Sequence, residues 1–257
     1  MTVHFKKDGP VAVVTIDRPE VANAVDGPTA RALAEAFEAF EADAQMSVAV
    51  LTGSGKTFCA GGDLRAILEG RESIVVRIEG PGPLGPTRML LSKPVIAAIE
   101  GHAVAGGLEL ALWCDLRVAA RDATLGVYCR RWGVPLCDGG TVRLPRLIGQ
   151  SYALDMILTG RGVGAEEALR MGLVNRLAEP GQALTAALSL AEALARLPQT
   201  CLRSDRQSVY EQWDKPLDGA LKGETELGIK VIGSGETMQG VSRWSSKTWS
   251  FSEFKEA

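Results

Sequence analysis

The sequence predicts a layered α/β protein, and three observations carry that prediction. Strand, helix and strand patterns alternate within the first fifty or so residues. A strand-like run passes through a glycine pair into a helical run over residues 94–115, PVIAAIEGHAVAGGLELALWCD. From Gln150 onward the pattern is mostly helical. With 257 residues the chain can bury a substantial core, as one large α/β domain or as a core with an appendage.

The elements follow in order. Residues 11–17, VAVVTID, are β-branched and short, a strand that ends at Arg18 and Pro19. VANAVDGPTA is a loop, in which Asp26 and Pro28 mark a helix start. Leu33, Phe37 and Phe40 recur at i, i+4 and i+7 and give that helix one apolar face as far as about Asp43. Residues 47–52, SVAVLT, are the next strand. Residues 66–92 contain EGPGPLGPT, a loop-like stretch suited to covering a pocket or to a surface connection. After the central strand, glycine pair and helix, residues 116–120 and 124–127 read as short strands. Helical patterns then cover TVRL, SYALDMILTG and AEEALRMGL, VNRL is a short strand, and helices follow over residues 182–197, 199–210 and 217–232. The apolar tail, with Trp244, Trp249, Phe251 and Phe254, is expected to pack on a neighbour or on its own core.

Composition narrows the function classes. Hydrophobic residues make up 46% and charged residues 23%, ordinary values for a globular protein. A net charge of -3 and a pI near 5.6 predict no nucleic-acid surface. No run approaches the length of a membrane span, and MTVHFKKDG lacks the apolar core of a signal peptide, so a cytoplasmic location is expected. The five cysteines show no CxxC spacing, and His4 and His102 are the two histidines, so no metal site is expected. Reduced thiols fit this picture.

The candidate chemistry sits on glycine turns. Gly106 and Gly107 lie where a strand enters a helix, a place where backbone N–H groups approach a ligand and the helix dipole favours negative charge. Glu109, three residues after Gly106, is the one charged side chain between Glu100 and Asp115. A lone carboxylate on an apolar helix is costly to bury unless it is satisfied or used. TFCAGGDL, with Ala60, Gly61, Gly62 and Asp63, is a second turn able to present donors, and an oxyanion hole needs two that converge. Asp138 precedes a third glycine pair, Gly139 and Gly140, as a helix N-cap or a catalytic acid. GSGKT at residues 53–57 resembles part of a P-loop, but the first glycine of that pattern falls on Val50. His102 is expected to be a packed residue. Arg130 and Arg131 suit phosphate contact, a subunit neighbour or solvent. Cys129 and Cys137 have no histidine near in sequence to activate them.

TFCAGGDL, KPVIAAIEGHAVAGGLELALWCDLRVAA, GGTVRLPRLIG and LTGRGVGAEEALRMGLVNRL, in this order and spacing, resemble the crotonase superfamily, the enoyl-CoA hydratase/isomerase family. The resemblance covers about residues 3–255 and is most specific over residues 93–120. It implies a crotonase-like core of repeated ββα units over residues 1–198, and a helical carboxyl region over residues 199–257 that builds trimers or dimers of trimers. It also implies an acyl-CoA substrate, with no cofactor besides the coenzyme A carried by that substrate. By position, Ala60 and Gly106 would supply the two N–H groups of the oxyanion hole, and Ala22, Ala24, Gly61, Gly62 and Asp63 would lie against the CoA moiety. Hydratases of this family use two glutamates to grip a water; the first falls on Glu109 and the second on Cys129. The family's isomerases place a single acid further on, where Asp138 stands. The resemblance therefore implies proton movement on an enoyl-CoA, by isomerisation or hydration, with decarboxylation, thioester hydrolysis or silent acyl-CoA binding as alternatives.

Overall fold

A computed structural model describes residues 2–246. The chain starts with an antiparallel hairpin, β1 (Val3–Asp8) and β2 (Val11–Ile16). Sequence reading misses β1 because its residues beyond Val3 are largely exposed, so no buried alternation marks it. Next comes α1 (Gly27–Ala42), where the Asp26 side chain caps Thr29 N and Pro28 sits in the first turn, as expected. Then follow β3 (Val48–Gly53), the short α2 (Leu64–Leu68), β4 (Val95–Ile99), β5 (His102–Val104), α3 (Gly106–Trp113), β6 (Leu116–Ala120) and β7 (Thr124–Gly126). The chain goes on through α4 (Gly140–Thr159), β8 (Gly162–Gly164), α5 (Ala165–Met171), β9 (Arg176–Ala178), α6 (Ala183–Ala195), α7 (Gln199–Glu211), α8 (Leu217–Gly233) and α9 (Glu236–Ser245).

The main sheet has the order β1-β2-β3-β4-β6-β9 and is parallel from β2 onward. Period-two side-chain direction divides its strands between two cores. Val48 and Val50 of β3 and Ile96 and Ala98 of β4 face Ala187, Leu190 and Ala191 of α6. Ala49, Leu51, Ala97 and Ile99 face the larger core, where Leu33, Phe37 and Phe40 of α1 meet α3 and its Trp113. Truncating Phe37, fully buried there, to alanine would cost about 3–5 kcal/mol.

A second sheet, β5-β7-β8, lies beside the first, with β5 and β7 parallel. Its role is to position the ends of β4 and α3. The carboxyl helices are tied to this body through Asp115, whose carboxylate takes Val95 N, Arg206 Nε of α7 at 2.8 Å and Tyr210 Oη at 2.7 Å. Trp244 on α9 is 66% exposed, so it does not pack on the core of its own chain. Trp249, Phe251 and Phe254 lie outside the described residues.

Candidate active site

The two glycine turns meet at the amino end of α3. β3 feeds the segment of residues 53–63, and an isolated bridge pairs Cys59 with Ala103 of β5. A Cβ on Gly107 would fall 2.0 Å from the Cys59 carbonyl oxygen, so only glycine lets the first turn of α3 press against that segment. Ala105, the residue before the helix, adopts φ 54° and ψ -126°. An alanine held there carries strain of about 1–3 kcal/mol, of the kind that gathers at functional sites. Its N–H is held by Gly126 O at 2.8 Å, so β7 enforces the turn.

This geometry corrects the expected oxyanion donors. The Ala60 N–H donates to the Ala22 carbonyl at 3.1 Å and is therefore already spent. The Gly61 N–H lies 3.4 Å from the Cys59 thiol sulfur. The Gly62 N–H has no acceptor among the described residues, and neither has that of Gly106, the first residue of α3. Gly62 N stands 3.6 Å from where a Cβ on Gly106 would sit, so the two donors are neighbours. Gly62 and Gly106 both line a cleft of about 360 Å³ that also holds Glu109, Cys129, Cys137 and Asp138.

Apolar walls surround these groups: Leu64 and Ile67 of α2, Ile74, Val76, Pro83 and Leu84 of the proline- and glycine-rich stretch, and Tyr128 and Trp132 of the turn after β7. The stretch of residues 66–92 thus does cover a pocket. A larger cavity of about 920 Å³ lies between α3, α4 and α7 and shares Cys137 and Asp138 with the cleft, but neither glycine turn nor Glu109 reaches it.

Glu109 is 3% exposed, and its Oε1 accepts the N–H groups of Asp138 and Gly140, each at 2.8 Å. Both bonds fall on one oxygen, so Oε2 is the one left for proton exchange. Burial, helped by the nearby Asp138 charge, pushes this carboxyl up to about 7 despite those two donors. Asp138 is 5% exposed, and its Oδ1 accepts Leu84 N at 3.0 Å and the Thr87 hydroxyl, which leaves Oδ2. Burial raises Asp138 as well, while Thr87, Leu84, Arg88 and Arg143 pull it back. Asp138 is not the N-cap of α4. Gly139 holds that position, and the aspartate side chain turns away to the Leu84–Thr87 segment.

Other expected residues take structural parts. Asp63 caps α2 through Ala66 N with Oδ1 and receives Arg18 Nη2 with Oδ2, each at 3.0 Å, so its carboxylate is committed within the protein rather than offered to CoA. Burial by itself would raise the Asp63 carboxyl, but the Ala66 N–H and Arg18 hold it below its ordinary value. Ala22 and Ala24 give their carbonyls to Ala60 N and Arg18 Nη1 respectively. Arg131 stacks on Tyr128 and donates to Gly160 O, and Arg130 donates to Ile157 O. His102 is exposed on β5, contrary to the packed position expected, because β5 is an edge strand of its sheet. Cys129 is buried, and its thiol is raised first by burial and then by the Glu109 charge, so it is neutral near pH 7. Three-residue metal clusters of His, Cys, Asp or Glu do not occur among the described residues.

Thr87, Leu84 and Arg143 escaped the sequence reading. The bonds of Leu84 and Thr87 to Asp138 span about fifty residues of chain, as does that of Arg143 to Thr87, and no local pattern encodes them.

Residues 6–253 match the family model described as enoyl-CoA hydratase/isomerase. An enoyl-CoA hydratase, EchA19, of Mycobacterium tuberculosis is 34% identical over 94% of this chain and 92% of its own. A carnitinyl-CoA dehydratase of Salmonella enteritidis is 38% identical over 86% of this chain and 88% of its own. The crystal structure of enoyl-CoA hydratase EchA1 from Mycobacterium marinum superposes with a TM-score of 0.90 at 38% identity, covering 96% of each chain.

Proposed function

The chain belongs to the enoyl-CoA hydratase/isomerase family, and from that premise we propose that it moves a proton along the acyl chain of an enoyl-CoA, converting a 3-enoyl to a 2-enoyl thioester. The observation that carries this reading is the pair of carboxylates in one apolar cleft, set beside two unspent backbone N–H groups. The thioester oxygen would lie between the N–H groups of Gly62 and Gly106. As the proton leaves C2, charge develops on that oxygen, and each such donor lowers the barrier by about 2.7–4 kcal/mol.

The two acids divide by environment. Burial raises Asp138, but its two donors on Oδ1 and the nearby Arg88 and Arg143 support its charged form. Glu109 stays half-protonated near pH 7. In this reading Asp138 Oδ2 takes the proton from C2, the dienolate is held by Gly62 and Gly106, and the same carboxyl returns the proton at C4. One carboxylate suffices, and no cofactor beyond the coenzyme A of the substrate enters. Hydration of a 2-enoyl-CoA is a second reading, favoured by the relatives named hydratase and dehydratase. Glu109 would then handle the proton, with the neutral Cys129 thiol where the family's second glutamate stands.

Turnover of a 3-enoyl-CoA and a short 2-enoyl-CoA by the purified protein, and by Asp138→Asn and Glu109→Gln, separates these readings. Conversion of the 3-enoyl substrate that is lost in Asp138→Asn is expected. Hydration that depends on Glu109, without isomerisation, would replace the first reading by the second. Tight CoA-ester binding with no turnover of either would favour a silent acyl-CoA-binding protein, or decarboxylation or thioester hydrolysis of another ester. As part of the same proposal, the protein works in the cytoplasm as a trimer or a dimer of trimers. The apolar residues left exposed on α8 and α9, Ile229, Ile232 and Trp244 among them, support self-association.

A further inference from the structure

Three hydrogen bonds tie the segment of residues 84–88 to that of residues 138–143, and two of them end on one carboxylate oxygen. Asp138 Oδ1 accepts Leu84 N and the Thr87 hydroxyl. The Arg143 guanidinium then bridges the backbones of the same two residues, with Nη1 donating to Asp138 O at 2.8 Å and Nη2 to Thr87 O at 2.7 Å. Thr87 is 1% exposed. A Cβ on Gly82 would fall 1.8 Å from Thr87 Oγ1 and 3.1 Å from Asp138 Oδ1, so the loop leaves room for these two side chains and nothing more.

The arrangement is costly for a merely structural tie. Arg143 is a half-buried cation bonded to carbonyls rather than to a carboxylate, and desolvation depresses it. Its placement does what a carbonyl clamp alone would not, since its charge is felt by both Glu109 and Asp138. Glu109 is itself held by the N–H groups of Asp138 and Gly140, on the segment that Arg143 fastens.

We propose that Thr87 and Arg143 are positioning residues that fix the rotamer of Asp138, directing Oδ2 into the cleft. The inference rests on the role given to Asp138 above. With its hydroxyl donor on Oδ1, Thr87 favours the charged form and forbids rotation of the carboxylate; Arg143 holds the backbone from which the carboxylate projects. The charged and titratable groups around Asp138 are Glu109 on α3, Arg88 at the end of the 84–88 segment, Arg143 on α4, and Cys59 and Cys137 as neutral thiols.

The test is the pH dependence of kcat/KM for the 3-enoyl-CoA in wild type, Thr87→Val, Thr87→Ser and Asp138→Asn, with denaturation midpoints measured alongside. Thr87→Val keeps the shape and removes the donor. Its acid limb is expected to move up by about one pH unit, with kcat lowered and KM little changed. Thr87→Ser is expected to restore the wild-type limb. Arg143→Met should lower kcat without abolishing CoA-ester binding. Thr87→Val should add nothing in an Asp138→Asn background. A wild-type pH profile in Thr87→Val, with only its stability reduced, overturns the positioning role while leaving Asp138 its part. Full turnover in Asp138→Asn removes the role of Asp138 itself.

Discussion

Glu109 is expected to cost the folded protein stability at neutral and alkaline pH, and replacing it by glutamine should recover that stability. Its carboxyl is raised from an ordinary 4.5 to about 7, chiefly by burial. The folded chain therefore holds a proton that the unfolded chain releases. The sign follows from linkage: a group raised on folding contributes no penalty below its unfolded pKa, and stability falls as pH rises from about 4.5 to about 7. A shift of ~2.5 units at 1.36 kcal/mol each gives a penalty of about 3 kcal/mol once both states are ionised. Glu109→Gln keeps an oxygen to accept the Asp138 and Gly140 N–H groups and places its amide toward the open cleft. Urea denaturation of both proteins at a fixed protein concentration, from pH 4 to pH 8, is the assay. The variant should match wild type near pH 4 and exceed it by about 3 kcal/mol at pH 8. A difference that does not grow with pH, or a variant less stable at pH 8, would show that the cleft solvates the Glu109 charge. Glu109 would then not be the group that exchanges a proton near neutrality.

Three further outcomes are expected. Cys129→Glu returns a second carboxylate to the cleft beside Glu109 and should raise hydration of a short 2-enoyl-CoA by about 10² over wild type, measured as loss of the enoyl absorbance. Gly107→Ala forces a Cβ against the Cys59 carbonyl; spectroscopically monitored unfolding should show a loss of about 1–3 kcal/mol, and kcat should fall by about 10² as Gly106 is displaced from Gly62. Asp63→Asn removes one of the two carboxylates paired with Arg18, leaving Asp26 at 3.1 Å, and weakens the α2 cap, at a cost of about 1–3 kcal/mol at pH 7. Because the Asp63 carboxyl is depressed, that difference should be present above about pH 4 and shrink as pH falls through the folded-state pKa, which urea titrations across this range would read.

Local chemistry explains why much of the fold was legible before the structure. The Asp26 cap, Pro28 and the Leu33, Phe37 and Phe40 face place α1 because capping and 3.6-residue periodicity act within a few residues of chain. β6 agrees with its sequence range at both ends because Asp115 and Arg121 bound a run that is apolar except for Arg117. The same holds for Glu109, conspicuous as a lone charge on an apolar helix and found buried in a cleft with a displaced pKa. β1 was illegible because only Val3 and Phe5 turn to the core, too few for a periodic pattern, and its other side chains face solvent.

What the chain alone determined, then, is where most helices and strands form, which glycine turns can present donors, and that Glu109 stands apart on an apolar helix. The family followed from the order of those turns. Only the tertiary structure decided which N–H groups are free. Ala60 and Gly62 look equivalent in CAGGD, yet one is consumed by the Ala22 carbonyl across the loop and the other finds no acceptor among the described residues beside Gly106. Asp138, too, reads equally as a cap or as an acid, until Thr87, some fifty residues earlier, takes its carboxylate away from the helix. Hydrogen-bond accounting is a property of the closed fold: each donor finds the nearest acceptor in space, and that distance has no counterpart along the chain.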